Sequence, residues 1–467
     1  MRRLFLALLI LQLVPVWWWT YFPSQDGPSH LYNAEVIARY STTPLYQEFY
    51  TLRLSPAGNV LSQIVQVALS RVLPPLIAEK VLISLYLVLF GLGFRYLIRS
   101  VAPDDEAYAF FAFVLAPNWF LHMGFWNFCL SMPLFFFALG CFLRNAKPSI
   151  FLALVWLTYF SHIIAWGLLA GCAGWLWLWK WRERRWLLVM ALTPIVPAML
   201  FLKGTGPSKI VPATMPQDFI AWLVAFTGFV HSFGMAEWLS AIAAICVVFA
   251  LALASVRKLI RSPLLYLAVI LYLIALIAPV SYGAATFLGK RSAFFGLAIF
   301  VSATAAARPA SVRIAFLFAA CALAATLARI QPFISWNTQI RAYNAFANQI
   351  PGGSRVLPLD TLQPDTGGTR PLAHALGYQT PRPLINLRNY EAGTPYFPVQ
   401  FRPQKSPFTR IGGSIAMEKN PPQIDLSTYE WIDYVLVAGP YTVAGPGFAL
   451  TKQAGGDLEL KLYRRTR

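Results

Sequence analysis

The chain has 467 residues, of which 57% are hydrophobic, 15% aromatic and only 12% charged. Soluble domains carry about 25% charged residues, so this composition excludes a water-soluble enzyme. Lys and Arg outnumber Asp and Glu by 38 to 19. Because the basic residues before residue 331 fall largely in short clusters between apolar runs, the charge indicates a polytopic membrane protein and not a nucleic-acid-binding protein.

Six apolar runs approach the ~20 residues that cross a bilayer as a helix. They cover residues 4–21, 81–94, 150–160, 186–202, 239–254 and 292–307. With weaker segments between them, they predict about eleven transmembrane helices. Basic clusters at Arg95, Arg144, 180–185 and Arg257 fall at alternate helix ends, and the positive-inside rule assigns these ends to the cytoplasm.

The first predicted helix enters from the cytoplasm and ends in an aromatic stretch, Trp17 to Tyr21, which is typical of a membrane interface. A long outer loop, 23–75, follows it. Pro, Gly and Asp residues between Pro23 and His30 predict a turn. Apolar residues at helical spacing then predict two surface helices, His30–Tyr40 and Asn59–Leu73.

The remaining helices follow in pairs. The second covers about 77–98, and the third and fourth are joined outside by 122–127. The fifth and sixth turn outside near 161–162. The ninth and tenth meet outside around 282–291, and the eleventh runs from about 314 to 330.

From residue 331 the composition changes: Gly and Pro clusters appear and the apolar runs become short. Residues 355–359 and 431–437 resemble buried strands bounded by turn residues. With an odd number of spans, this tail lies on the same side as the first outer loop. We therefore expect two parts, a transmembrane domain over 1–330 and an extracytoplasmic α/β domain over 331–467.

Only ten acidic residues precede residue 331, and the predicted topology leaves six of them outside. Asp26 differs from the others because it directly follows the first helix, within a Gly/Pro turn, with His30 four residues later. A carboxylate held there could take a proton from an acceptor hydroxyl as a general base. The alternative is that Asp26 only caps the helix that begins near Pro28.

Four of the five histidines, His30, His122, His162 and His231, fall at outer helix ends or in outer loops. Together with Asp26, a set drawn from His30, His122 and His162 could bind a divalent metal through nitrogen and oxygen ligands. The alternative for each histidine is an interfacial or core residue that only forms hydrogen bonds.

Lys290 and Arg291 open the tenth helix from the outside, against the charge rule. Arginine binds phosphate through a two-pronged set of donors, so a lipid phosphate or pyrophosphate is a natural partner for this pair. The alternative is an anchor to lipid headgroups.

The pattern resembles the integral-membrane glycosyltransferases of the GT-C superfamily, such as protein mannosyltransferases and aminoarabinose transferases. The features that match are one helix, a long outer loop that opens with an acid (Gln25-Asp26-Gly-Pro-Ser-His30), two surface helices, many further spans and an extracytoplasmic C-terminal domain. The resemblance implies a donor sugar linked to polyprenyl phosphate. It also implies that Asp26, the acidic residue of the loop, is the catalytic residue. Several members carry a second acid in the next outer loop, but residues 122–127 contain none.

We therefore expect an inverting glycosyltransferase of a bacterial inner membrane that transfers a sugar to a lipid, glycan or protein acceptor at the outer face. Asp26 would be the base, His30 its partner or a metal ligand, and Arg291 with Lys290 the donor-phosphate site. The rival expectation is a non-enzymatic transporter of lipid-linked sugars or an envelope assembly factor. Transporters tend to show internal repeats and charges in mid-span, and the sequence shows neither.

Overall fold

The computed structural model describes the chain except for residues 54–57, 181, 205–209, 212–226, 231, 283–284, 366, 381, 410, 412–425, 427–428, 444–446, 457 and 467. The described residues form a helical protein. Within this described part, five helical segments are long and apolar enough to cross a membrane: Pro75–Val101, Trp126–Arg144, Arg182–Lys203, Met235–Leu253 and Val312–Ala347. The predicted count of eleven spans is not confirmed, since other apolar helices, such as Ile163–Trp179, have only 10–17 residues.

Eighteen α-helices are assigned within the described residues. They are α1 (Arg2–Trp18), α2 (Gly27–Arg39), α3 (Pro44–Phe49), α4 (Leu61–Ser70), α5 (Pro75–Val101), α6 (Ala112–Leu115), α7 (Trp119–Met123), α8 (Trp126–Arg144), α9 (Pro148–Ser161), α10 (Ile163–Trp179), α11 (Arg185–Leu192), α12 (Ile195–Gly204), α13 (Met235–Leu253), α14 (Val256–Leu259), α15 (Pro263–Ile277), α16 (Leu288–Ala307), α17 (Val312–Ala328) and α18 (Ile330–Ala347).

Proline marks many of the helix starts. Helices α2, α3, α5, α9 and α15 each carry a proline in the first turn. This position suits proline because the first amides of a helix have no partner inside the helix and the fixed φ of proline is already helical. Prolines near apolar runs therefore set where these helices begin.

The segment between α1 and α5 contains α2 and α4, near the two expected helices, and also the short helix α3. α2 was expected at a surface, but its residues from Gly27 to Val36 are all buried. The third predicted span is not one continuous helix. A 3₁₀ turn (Ala107–Phe111) leads into α6, and the chain breaks at Pro117 before α7. Asn118 restarts the helix because its side chain accepts a hydrogen bond from the amide of Leu121.

Ten strands complete the described elements. They are β1 (Tyr50–Leu52), β2 (Ile210–Val211), β3 (Ser281–Tyr282), β4 (Ala285–Thr286), β5 (Arg355–Asp360), β6 (Ile385–Asn386), β7 (Val399–Phe401), β8 (Tyr434–Ala438), β9 (Phe448–Ala454) and β10 (Leu460–Arg465). The tail forms one five-stranded sheet with the order β6-β5-β8-β10-β9. In it β5 is parallel to β6 and β8, whereas β10 is antiparallel to β8 and β9.

Both predicted tail strands exist, as β5 and β8, and both are buried over most of their length. Within the expected 331–467 domain, the described residues form most of α18, followed by strands and 3₁₀ turns. A separate extracytoplasmic α/β domain is not confirmed. The boundary expected at residue 331 also falls one residue inside α18, because α17 and α18 are separated only by Arg329.

The tail packs against the loop between α1 and α5. β1 of the loop pairs antiparallel with β7 of the tail, with Tyr50 opposite Phe401. One apolar cluster combines loop residues such as Val36 and Phe49 with strand residues such as Leu357. Residues that are more than three hundred positions apart in sequence therefore enclose the start of α2.

Candidate active site between the first loop and the tail

Asp26 occupies a turn that is held by the backbone of the next loop. The amides of Gln25 and Asp26 donate to the carbonyl oxygens of His122 (2.9 Å) and Met123 (3.0 Å). Gly124 follows with a φ of +79°, a conformation that favours glycine, and a Cβ there would lie 2.4 Å from the amide nitrogen of Gly27. The two loops therefore fix the position of Asp26 through their main chains.

The carboxylate of Asp26 does not cap α2. Asp26 is the residue before the helix, but its side chain accepts no hydrogen bond from the helix amides. Instead it accepts from Gln25 Nε2 (3.1 Å) and from the hydroxyl of Tyr390 (3.3 Å), and it lies 3.6 Å from Nε2 of His374. The capping alternative therefore does not account for the carboxylate, which points to side chains of the tail.

Burial dominates the chemistry of Asp26, of which only 7% is exposed. Loss of water raises the pKa of its carboxyl from 3.8 to about 6, and the positive charge of His30 and the bond from Gln25 limit the rise. The nearby charge of Glu391 acts in the opposite direction and raises the pKa. A carboxyl with a pKa near 6 is a better proton acceptor than an exposed one and is still mostly ionised at neutral pH.

His30 is paired with a second buried acid. Its Nδ1 lies 3.1 Å from Oε1 of Glu391, which is fully buried, although the two atoms are not aligned as a hydrogen bond. Burial alone would lower the pKa of His30, but the carboxylates of Glu391, Asp26 and Glu79 outweigh it, and the net pKa is raised. The protonated form of His30 therefore places a positive charge near three buried carboxyl groups.

The tail contributes two further groups that stay neutral. Burial, together with the charges of Arg388 and His30, holds the pKa of His374 well below its usual value. Burial also raises the pKa of Tyr390 well above 10, and the charge of Asp26 adds to the rise. At neutral pH, Tyr390 is therefore a hydrogen-bond donor to Asp26 and His374 an uncharged neighbour.

Arg291 lies buried in the first turns of α16 and forms no ion pair with an acid among the described residues. Its guanidinium carbon lies 4.6 Å from the ring centre of Phe128 and 5.2 Å from that of Phe125. Its Nε has no hydrogen-bond partner in the described part of the chain. A buried cation without a counter-charge is costly unless an anion joins it, which makes this a candidate anion site.

His162 contacts Arg291 directly. Nε2 of His162 lies against Nη1 of Arg291, and because a guanidinium can only donate, Nε2 is the acceptor of this contact. Nδ1 of His162 lies 3.2 Å from the amide nitrogen of Ile164. Lys290, beside them in sequence, places its ammonium 4.1 Å from the ring centre of Trp119.

Tyr396 connects the two parts of the site. Burial raises its pKa to about 12, the charge of Arg291 lowers it, and the charges of Glu391 and Asp26 raise it. The charges of Arg291, Asp26 and Glu391 therefore all act on the hydroxyl of Tyr396. A substrate with an anionic group and a neighbouring reactive carbon could lie between them.

The predicted metal set is not brought together. His30 is paired with Glu391 and His162 with Arg291. His122 donates from Nδ1 to the carbonyl oxygen of Pro23 and stacks on Phe22. The described residues contain no group of three or more His, Cys, Asp or Glu side chains arranged to hold a metal ion. His231 lies outside the described residues. The sequence predicts these histidines at the same end of the molecule. In the structure, His30, His122 and His162 contact different partners.

Sequence reasoning missed the groups that the tail supplies. Glu391, His374, Tyr390 and Tyr396 come from a segment whose only described strand is the two-residue β6 and which has no described α-helix, and none follows a local motif. Residues 122–127 carry no acid, but Glu391 of the tail lies beside His30. The only hint was compositional: His374 is the single histidine of the tail.

No protein-family model matches the chain, and no curated protein or solved structure is significantly similar to it. Function must therefore be argued from the geometry of these residues.

Proposed function

We propose that the protein is a GT-C-type membrane glycosyltransferase that transfers a sugar from a polyprenyl-phosphate carrier to an acceptor hydroxyl. The observations that carry the proposal are the buried carboxylate of Asp26, with a pKa raised to about 6, and the buried guanidinium of Arg291, which forms no ion pair among the described residues. The charges of both groups act on the pKa of Tyr396. General-base chemistry and phosphate binding need these two groups at one site.

In the proposed reaction, Asp26 accepts the proton of the acceptor hydroxyl while the acceptor oxygen bonds to the anomeric carbon. The bond between that carbon and the phosphate oxygen breaks, and the phosphate leaves with the electron pair. Arg291, with Lys290 beside it, binds the charge that grows on the phosphate. Attack on the face opposite the leaving group inverts the anomeric configuration.

The second acid and its histidine hold the base in place. Protonated His30 lowers the pKa of Asp26 and so favours the ionised carboxylate, and Glu391 raises the pKa of His30. Tyr390 donates to the carboxylate oxygen Oδ2 and so orients it. These groups are positioning residues in the proposal, because nothing places them at the reacting atoms.

The proposed orientation puts the first loop and the tail on the outer face of a bacterial inner membrane. The positive clusters at the other helix ends support this orientation. Arg144 and Arg184 lie at that end, where Arg184 donates to the carbonyl oxygen of Leu143 (2.8 Å). The donor would be approached from the outer leaflet, near Arg291.

The test compares Asp26→Asn with Glu48→Gln, which neutralises another, exposed acid of the same loop whose partner is Lys405. Purified full-length protein in nanodiscs is given polyprenyl-phosphate-linked sugars with several candidate sugars, and release of polyprenyl phosphate is measured. We expect Asp26→Asn to lose about 10²–10⁴-fold in turnover while donor binding persists, and Glu48→Gln to keep turnover. Full turnover in Asp26→Asn would remove Asp26 from the reaction and favour the transporter or assembly-factor alternative.

A further inference from the structure

An apolar cavity of about 380 Å³ lies between α1 and the α17–α18 segment. Its volume falls within the range of about 300–1,000 Å³ that is typical of small-molecule sites. Residues that line it include Val14, Trp18, Leu323, Leu327 and Ile330, and each of these is also substantially exposed on the outside of the helices. The cavity is therefore bordered by the apolar surface that these helices turn outward, which in a membrane faces hydrocarbon.

The cavity is separate from the proposed phosphate site. Leu121 and His122 of α7 line it. The neighbouring Trp119 and Phe120 of the same short helix contact Lys290 and Arg291 instead, at 4.1 Å and 6.0 Å from their ring centres. The cavity and the cation pair thus lie against different faces of α7. A molecule that fills the cavity does not need the cations of α16.

The cavity also offers no free charge to an anionic headgroup. Arg329 is its one charged lining residue among the described ones. Its Nε and Nη2 donate to Oε1 of Glu237 at 2.8 and 2.5 Å, and Nη2 also donates to the carbonyl oxygen of Pro117. Because Glu237 already neutralises this cation, an anionic lipid would lose its hydration without gaining a counter-charge.

His122 supplies one unused hydrogen-bond acceptor at the same place. Its Nδ1 faces the carbonyl oxygen of Pro23, which can only accept, so the ring proton is on Nδ1. Its Nε2 is buried and has no hydrogen-bond partner in the described part of the chain. A hydroxyl group that donates to Nε2 would satisfy this nitrogen, whereas an ester or ether oxygen would not.

We propose that the cavity binds a hydrocarbon chain of an uncharged membrane lipid whose free hydroxyl donates to Nε2 of His122. The bound lipid would be distinct from a phosphate-linked donor, and the inference does not depend on transferase chemistry. His122 also accepts, through its carbonyl oxygen, from the amide of Gln25 beside Asp26. A lipid in this cavity would therefore contact the loop that supports the Asp26 turn.

The experiment uses three photoactivatable probes with identical acyl chains: diacylglycerol, its acetyl ester and phosphatidic acid. The full-length protein in nanodiscs is irradiated with each probe, and labelled peptides are mapped by mass spectrometry. We expect diacylglycerol to label α1 and α17–α18, the acetyl ester to label them about 5-fold less because it lacks the donor, and phosphatidic acid to label them least.

Two substitutions fill the cavity, Thr326→Trp and Leu323→Trp, and Leu317→Trp serves as the matched control. Leu317 lies on the same helix with 41% of its side chain exposed and does not line the cavity. Labelling of α1 by diacylglycerol should fall in either filled variant and persist in the control. Unchanged labelling in both filled variants would overturn the site, and equal labelling by phosphatidic acid or the acetyl ester would overturn the proposed chemistry of the ligand.

Discussion

Replacing Asp26 by Asn should stabilise the protein at neutral pH although it abolishes the proposed base. Burial raises the pKa of the carboxyl from 3.8 to about 6, which corresponds to about 3 kcal/mol against the charged form in the folded state. The protonated acid is therefore favoured by folding. This contribution is fully present below pH 4 and is lost as the pH rises through about 6.

Asn is always neutral and keeps an oxygen that can accept from Gln25. The Asp26→Asn protein should therefore match the wild type in stability near pH 4 and exceed it by up to about 3 kcal/mol at pH 7.5. Thermal unfolding of both proteins in the same detergent across this pH range measures the difference. A difference that does not change with pH, or a less stable Asn variant at pH 7.5, would refute the burial argument.

Three further predictions concern the surroundings of Asp26 and the proposed phosphate site. Arg291→Lys keeps the charge but loses the two-pronged donor geometry, so affinity for polyprenyl phosphate, measured by titration in nanodiscs, should fall, and it should fall further in Arg291→Ala; wild-type affinity in both would leave Arg291 as a headgroup anchor. Glu391→Gln removes the main charge that raises the pKa of His30, so an NMR titration of ¹⁵N-labelled histidine should show that pKa falling, and an unchanged value would exclude the pairing. Gly124→Ala places a Cβ at a φ of +79° against the Asp26 turn and should cost about 1–3 kcal/mol of stability, whereas Gly167→Ala, which meets no atom within 4 Å, should be harmless in the same unfolding assay; equal effects would contradict the close packing.

Local sequence signals located the helices and the turn at Asp26 well. The apolar segments predicted α5, α8 and α13 because this signal acts within one helix. The prediction of the third span as one helix was wrong because Pro117 and Asn118 interrupt an apolar stretch that hydropathy alone treats as continuous. The division of the chain into domains at 1–330 and 331–467 stays a prediction.

The composition of the site was predicted less well, for a physical reason. Asp26 and His30 share one turn, so spacing could join them. Glu391 and Tyr390 reach them only because β1 pairs with β7 and the tail packs on α2. Such contacts are set by tertiary folding, and a single sequence carries no local trace of them. The metal site was predicted because His30, His122 and His162 were all expected on the same side of the membrane. A common side does not fix the distances between their side chains.

The pairing of an early loop with a late tail has a consequence for biogenesis. During synthesis the Asp26 turn emerges long before Tyr390 and Glu391, and until they arrive its carboxylate is hydrated and has the ordinary pKa of an exposed acid. The proton-accepting character of Asp26 is therefore acquired last, when the end of the chain closes over the loop. A nascent or prematurely terminated chain would insert its helices but would lack the buried carboxyl that the proposed transfer reaction needs.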